Sequence, residues 1–544
     1  MTDTTLDTRQ KKEFGIYYTD ELVADFLVSW AVRNPSDRAL DPSYGDGVFI
    51  ISASRQIKAL GGKHPQVYGV DIQLDTGFNA SLANLPNENF ISSDFFKIEP
   101  SDIGEMDAVV GNPPFIRYQR FNGETRKNAL KICQKMGVAL PELTSSWAPF
   151  LAHATRFLKK GGRLAMVVPA EINHAAYAQP LVKYFLKVFG KITIVAFRMR
   201  IFPNLSQDAY CLLASDYGQE CEDFSWIVAD DALSLTSIDL NSGVSVDINA
   251  LRTGQQRLIL NLLSEPARQL YAQLSQENFT ARLGELASVS IGYVSGANEF
   301  FHLSASEVEE YRIPESFLRK AIRSGRQITG LKFTEADWLL SGQSNEKAWL
   351  LYIPSNHKKL TEGVREYLEF GVKSNIPETY KCQARQPWYS VPNVYLGDAF
   401  LTYMSGNSPK LAANSVKAVA SNSLHVVTLT RDLFSQANPV SPENLAALWR
   451  TSFTMLSAEV EGHAMGGGML KLEPSEAEKV MLASPKQYPN NAITEKLDSL
   501  LRNSQVDNAL DYADKEILVP LGLTHNDCIA LREGHNTLRE WRMR

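Results

Sequence analysis

The sequence predicts an α/β protein: a first half built on one doubly wound, parallel-rich sheet, then an α+β second half with a helical C-terminal tail. Three observations carry this. Between residues 14 and 235, short runs of branched apolar residues alternate with stretches of helical apolar spacing, the pattern of strand-helix-strand units. Successive apolar runs lead to Asp41, Asp71, Asp94 and Asn112, so polar groups recur at the same edge of consecutive strands. From Ser225 the texture changes to acids and small polar residues (Asp230, Asp231, Ser234, Thr236, Ser237, Asn241, Ser242, Gly243) without periodicity. Domains are therefore expected over residues 14–235, 245–490 and 491–544.

Phe14 to Thr19 leads into a helix from Asp20 to Trp30, with Thr19 or Asp20 as N-cap and acids in the first turn. Arg38 to Asp41 reads as a short strand, Pro42 to Gly47 as a tight turn, and Val48 to about Leu60 as a helix. Gly45 and Gly47 let a ligand approach the backbone. The pattern is neither a dinucleotide fingerprint nor a P-loop, because no Lys-Ser/Thr follows the glycines. An acid at the strand end, Asp41, suits a ligand with a cationic amino-acid moiety better than a pyrophosphate. Val67 to Asp71 is a second strand, and a carboxylate at its end can accept from both hydroxyls of a ribose. Asn89 to Phe96 is expected as a third strand, with Asp94 placed to receive an exocyclic amino group and Phe95 or Phe96 as a stacking face. Singly, each acid also reads as a helix cap or a loop residue; their common edge is what argues for a site.

Met106 to Val110 has the length and branching of a buried strand, and it delivers Gly111-Asn112-Pro113-Pro114-Phe115 to its carboxyl end, where open α/β sheets bind ligands. The two prolines fix φ and donate no hydrogen bonds, so their carbonyls and the Asn112 amide point outward instead of joining a ladder. An amino group with two N–H donors could be held by the Asn112 amide oxygen and the Pro113 carbonyl while Phe115 stacks on its ring. The competing reading is a strand ending in a Pro-Pro turn with a buried Phe.

Farther on, Ser145 to about Leu158 is a helix that Lys159-Lys160-Gly161-Gly162 is expected to close, and Arg163 to Pro169 is a fifth strand. A helix around Leu181 to Phe189 leads to apolar runs at Ile192 to Phe197 and Ala209 to Leu213. Leu251 to Gln276 reads as helical, Leu283 to Val294 opens a region of short strands and turns, and two or three helices follow about Ala492, ending in the basic Arg539 to Arg544.

The 544 residues suffice for roughly two to four domains, and 44% apolar composition can fill proper cores. Met1 to Glu13 contains no apolar h-region, and no run approaches a membrane span, so export is not expected. Five scattered cysteines form no CxxC pair, arguing for neither zinc nor a disulfide framework; no metal and a reducing cytoplasm are expected. The net charge of −6 does not advertise nucleic acid. Phosphate contacts need only a local basic surface, however, and Arg117, Arg120, Arg126, Lys127, Lys131 and Lys135 directly follow the Pro-Pro turn, opposed by Glu124 alone. In Arg117-Tyr118-Gln119-Arg120-Phe121, aromatics interleave with cations, which tilts the reading from a solvated helix face toward a nucleic-acid surface.

On these residues the chain resembles the gamma-class DNA adenine-N6 methyltransferases of restriction-modification systems, the TaqI-like and Eco57I-like enzymes. The resemblance covers nearly the whole chain. Thr19 and its helix look like that family's first cofactor motif, Asp41-Pro42-Ser43-Tyr44-Gly45-Asp46-Gly47 its glycine loop, Asp71 with Ile72 its ribose site, Asp94 with Phe95 its adenine side, and Asn112-Pro113-Pro114-Phe115 its catalytic signature. Only seventeen residues separate Asp94 from Asn112, so target recognition must follow the catalytic domain. Ile291 to Phe301, Ala384 to Tyr389, Asn422 to His425 and Gly466 to Gly468 are similar to segments of the family's recognition domain; they also read as turn glycines and buried aromatics. Ser295 stands where threonine is more usual.

The resemblance implies a Rossmann-like catalytic domain, S-adenosylmethionine as methyl donor, and double-stranded DNA as substrate with its adenine flipped out of the helix. It implies Asn112 and Pro113 as the acceptors of the target amino group, Phe115 and, more weakly, Tyr177 as stacking partners, and Arg117, Arg120, Arg126, Lys127, Arg385 and Trp388 as DNA contacts. A separately encoded restriction endonuclease is a possible partner, and the expected location is the prokaryotic cytoplasm, at the nucleoid when bound to DNA. The rivals are a methyltransferase acting on another amino or amide group (cytosine N4, RNA, protein glutamine) and a non-catalytic DNA-binding specificity protein. A second half of about 300 residues favours a large polymeric substrate, and Asn112, where cytosine-N4 enzymes more often carry serine, favours adenine.

Overall fold

The computed structural model describes residues 19–72, 85–173, 175–202, 208–254, 257–343, 347–357, 359–430, 440–465 and 467–544. Phe14 to Tyr18, Pro203 and Gly466 lie outside the described residues. The chain divides into two compact units, one through Leu262 together with Arg544, the other Leu263 to Met543.

The first unit is built on a nine-stranded sheet. Its strands are β1 (Arg38–Asp41), β2 (Gln66–Asp71), β3 (Phe90–Ser92), β4 (Met106–Gly111), β5 (Leu158–Pro169), β6 (Phe189–Phe197), β7 (Ala209–Tyr217), β8 (Asp223–Ala229) and β9 (Val244–Ser245), in the order β3-β2-β1-β4-β5-β7-β6-β8-β9. From β3 through β5 every pairing is parallel. β7 inserts antiparallel between β5 and β6. Strand order runs outward in both directions from the β1/β4 pair, so the crevice beyond the carboxyl ends of those two strands is the switch point of the sheet.

The helices that flank this sheet follow from local chemistry. α1 (Glu21–Ala31) starts where the Asp20 carboxylate accepts from the Leu22 amide at 2.8 Å, and it buries Val23, Ala24, Leu27, Val28 and Ala31, an i, i+3/i+4 stripe. α2 (Val48–Ala59) is entered through Gly47 at φ +84°, a left-handed conformation that costs glycine nothing. α1 and α2 contribute to one core with Ala39, Val67, Ala108, Val110, Val167 and Cys211 of the sheet. α3 (Gly123–Lys135), α4 (Trp147–Thr155) and α5 (Gln179–Val188) complete the helices used below.

Three expectations are corrected. The third strand is only Phe90–Ser92, because Asp94 caps a 3-10 turn over Phe95–Lys97. Lys159 to Gly162 do not close a helix: they belong to β5, where the pairing with β4 jumps from Met106–Leu158 to Ala108–Arg163 and Gly161 takes φ +79°. That irregularity absorbs the Lys-Lys-Gly-Gly run as a bulge. The sheet also continues beyond the expected boundary at residue 235, through β9, and β8 is buried on both faces, Phe224 and Trp226 on one and Ile227 on the other.

The second unit is α+β. A five-stranded sheet runs in the order Ala287–Ile291, Leu424–Leu429, Ala399–Thr402, Leu411–Asn414, Lys332–Phe333, beside a four-stranded sheet centred on Trp349–Leu351 and Leu318–Ile322. One core gathers Tyr293, Phe301, Leu350 and Tyr367, another Ile322, Phe333, Phe400 and Val426. Beyond residue 490 the helices are Asn491–Arg502, Val506–Ala513 and His525–Met543. Arg542, expected in a basic tail, is instead buried: its guanidinium pairs with Glu459 through Nε at 3.0 Å and a terminal nitrogen at 2.8 Å, and it also donates to the Gly406, Asn407 and Gly468 carbonyls. Both side chains are at most 3% exposed. Arg542→Met leaves Glu459 buried without its counter-charge, and chemical denaturation is expected to show a loss of about 3–5 kcal/mol.

Candidate active site

The carboxyl ends of β1, β2 and β4 meet around the Asp41 to Gly47 turn. Gly111, the last residue of β4, takes φ +155°, and a Cβ there would stand 2.7 Å from Asp41 Oδ1. Only glycine lets the two strand ends approach this closely. Asp41 is 1% exposed. Its Oδ1 accepts from the Ser43 amide at 3.0 Å, while Oδ2 is buried with no donor among the described residues. Burial pushes its carboxyl well above the usual carboxylate range; the Ser43 amide opposes this, and the charges of Asp71 and Asp46 add to it.

The Ser43 hydroxyl donates to the Asn112 carbonyl at 3.1 Å, and the Gly45 amide donates to Asp71 Oδ2 at 2.9 Å. The glycine turn thus bridges β2 and β4 across β1. Pro42 is buried beneath it. Beside Asp71, Ile72 is 65% exposed, an apolar side chain open to solvent next to a carboxylate.

Asn112 is held from one side only. Its Nδ2 donates to Thr19 Oγ1 at 3.2 Å, which fixes the amide's orientation, while its Oδ1 is buried and receives no hydrogen bond among the described residues. The two prolines differ as well. The Pro114 carbonyl accepts from the Ser146 hydroxyl, which itself accepts from the Ile116 amide at 2.9 Å, whereas no described donor reaches the Pro113 carbonyl. Two acceptors, Asn112 Oδ1 and Pro113 O, are therefore left open on adjacent residues. Phe115 is half-buried and packs on the sheet core.

Other expected residues fall elsewhere. Asp94 is a cap: Oδ1 accepts from the Phe96 amide at 3.1 Å and Oδ2 from Thr125 Oγ1 at 2.7 Å. Phe95 and Phe96 are not free stacking faces. Phe95 is 4% exposed, its ring 4.5 Å from His153, 4.9 Å from Phe150 and 5.1 Å from Phe157 between centroids, because an aromatic so placed gains more from the core than from an open cleft. Tyr177 is half-buried, its hydroxyl donating to Glu171 and accepting from the Trp147 indole N–H at 2.8 Å; burial, then the Glu171 charge, raise its pKa.

Arg117, Arg120, Lys127, Lys131 and Lys135 are exposed and Arg126 half-exposed, and none has an ion-pair partner among the described residues. Phe121 leaves the expected aromatic-cation array: it is buried, 6.2 Å from Phe96 between ring centroids. In the second unit Arg385 and Trp388, both part-exposed, make contacts within the fold. Arg385 donates to the Ser295 and Val294 carbonyls, both at 2.7 Å, and Trp388 packs 5.6 Å from Phe300. The positioning contacts of Ser43, Thr125 and Ser146 carry no local sequence signal, because each acts on a partner 30 to 69 residues away. The five cysteines are buried and form no disulfide, and burial raises the thiol of Cys133 to about 12, those of Cys221 and Cys528 to about 11, and that of Cys211 as well.

The N-6 DNA methylase family model matches residues 4–241, and the model for the C-terminal domain of type II methyltransferase M.Eco57I matches residues 255–518. The chain belongs to the adenine-N6 DNA methyltransferases of restriction-modification systems. It is 23% identical over 487 residues to the type II methyltransferase M.AccI of Acinetobacter calcoaceticus, covering 88% of this chain and 87% of that one. It is 21% identical over 490 residues to M.XamI of Xanthomonas campestris pv. amaranthicola, covering 86% and 85%. The type IIL restriction-modification enzyme MmeI, solved in complex with DNA, shares the fold: TM-score 0.56 at 11% identity, over 98% of this chain and 80% of that one. A methyl donor and DNA are thus the reactants. Among the described residues no helix is long and apolar enough to cross a membrane.

The Asp41 carboxyl gives a pH test of the unliganded site. Its folded-state pKa lies above the unfolded value, so its contribution to stability is complete below the unfolded pKa and is lost as pH rises toward the folded one. Asp41→Asn has no such group. Melting curves taken from about pH 4 to about pH 8 are expected to show the wild type losing stability relative to the variant; a difference that stays constant with pH would contradict the burial assignment.

Proposed function

We propose that the acceptors Asn112 Oδ1 and Pro113 O hold the N6 amino group of an adenine extruded from duplex DNA, and that S-adenosylmethionine occupies the crevice formed by the ends of β1, β2 and β4. The observation that carries this is the buried, unpartnered Asn112 Oδ1. A buried acceptor without a donor costs free energy, of order 1–3 kcal/mol, that a bound N–H would recover. The amide is already oriented by Thr19, so its oxygen needs no reorganisation when the base arrives.

The crevice suits the donor. Asp41 Oδ2 is buried and open to a cationic amino-acid end, Asp71 stands where it can accept from ribose hydroxyls, and the exposed Ile72 offers an apolar face to a nucleobase. Asp94, oriented by Thr125, keeps lone pairs for an exocyclic amino group. When bound, S-adenosylmethionine supplies an electrophilic methyl group. The chain's own part is to present the amino nitrogen: two acceptors draw its protons toward Asn112 and Pro113, concentrating the lone pair that conjugation with the ring would delocalise. No base is required beforehand. Phe115 stacks on the base, with Tyr177, fixed by Glu171 and Trp147, as the second candidate wall. The unpaired Arg117, Arg120, Arg126 and Lys127 lie just beyond Phe115 in the chain and meet the phosphate backbone. The second unit carries target recognition, and a separately encoded restriction endonuclease is a candidate partner.

Asn112→Ala is expected to lower tritium transfer to DNA by at least about 10²-fold while calorimetric affinity for S-adenosylmethionine stays near wild type. Full activity in that variant would sink the clamp. Asp71→Ala is expected to weaken S-adenosylmethionine binding by about tenfold or more; unchanged affinity would remove Asp71 from the site.

A further inference from the structure

In the second unit two part-exposed cations, Arg450 and Lys410, stand together with no carboxylate partner among the described residues. Arg450 lies between the helix Pro442–Leu448 and Thr451, the N-cap of the helix Ser452–Glu461. Its side chain is part-exposed, with Nε buried and unpartnered, and among the described residues no hydrogen bond or ion pair reaches its guanidinium. Lys410 stands close enough for the Arg450 charge to act on it, and among the described residues its ammonium meets the Ile328 carbonyl alone, at 2.8 Å. Burial draws the Arg450 pKa down to about 10, and burial followed by Arg450 itself lowers that of Lys410.

The pair is rigidly mounted. The Trp449 indole N–H donates to the Pro409 carbonyl at 3.0 Å, tying the residue before Arg450 to the residue before Lys410, and the Lys410 amide donates to Thr402 Oγ1 at 2.9 Å. Elsewhere in this unit the chain answers an enclosed guanidinium fully, as Glu459 does for Arg542. The Arg450 fork is part-exposed with its buried Nε left open, so an anion from outside can reach and complete it. A guanidinium fork with an adjacent ammonium matches the oxygens of a phosphate, the fork by paired N–H donors and the ammonium as a point charge.

We propose that Arg450 and Lys410 form a phosphate-binding site whose ligand is a backbone phosphate of the substrate DNA; this rests on the reading of the second unit as the recognition unit. The test is the salt dependence of DNA binding by the full chain, wild type against Arg450→Met and Arg450→Lys. Arg450→Met is expected to bind every DNA sequence about tenfold more weakly, with the slope of log affinity against log salt shallower by about one, and Arg450→Lys to fall between. The melting temperature of the unliganded Met variant should not drop, because an unanswered charge has been removed; a purely structural arginine would give a drop. Unchanged affinity and slope would overturn the proposal. So would weakening confined to certain sequences, which marks a base contact. If inorganic phosphate raises the melting temperature of the wild type but not of Arg450→Met while DNA binding is unaltered, the ligand is a free phosphate and the assignment to DNA fails. A wild type that binds no DNA at all would overturn the recognition reading instead, and it is measured first.

Discussion

The side-chain amide of Asn112 is the constraint on which the site depends. A primary amide in a protein interior ordinarily satisfies both ends; here Thr19 satisfies the nitrogen, and no described residue satisfies the oxygen. Thr19 supplies the fixed end from the start of α1, Ser43 holds the Asn112 carbonyl from the glycine turn, and Ser146 engages the Pro114 carbonyl and the Ile116 amide. Each contact removes a freedom the loop would otherwise use to collapse onto its own acceptor. The prolines assist by having no N–H to offer.

The sheet topology explains why these contacts converge. Strand order reverses between β1 and β4, so no crossover helix covers their shared carboxyl end. The close approach there admits no Cβ at position 111 and forces a carboxylate, Asp41, into a place where water cannot solvate it. Such a group is a liability in the free protein and an asset toward a cation. The same logic of incomplete satisfaction recurs with opposite sign at Arg450, where a cation rather than an acceptor is left open.

Net charge conceals this arrangement. The chain is acidic overall, yet the residues after Phe115 form a run of cations without ion-pair partners among the described residues. Some arginines are engaged internally: Arg163 by Asp37, Arg502 by Asp337 and Asp498, Arg385 by backbone carbonyls. Whether a cation faces a partner polymer or its own fold is therefore decided position by position, and composition does not report it.

The sequence by itself determined the strand-helix alternation, Asp41, Asp71 and Asn112 at the strand ends, and the order of motifs, because each is written in local periodicity and turn chemistry that a short window contains. The ends of elements were less legible. Lys159 to Gly162 carry the composition of a helix stop but join β5, since pairing with β4 outweighs propensity. Only the tertiary structure decided which aromatics are available, burying Phe95 and Phe121 and leaving Phe115 partly open, because burial depends on neighbours distant in the chain. The same holds for which polar groups remain unsatisfied. Asn112 Oδ1, Asp41 Oδ2 and Arg450 Nε are distinguished by the absence of a partner, and that absence exists only once every other residue has taken its place.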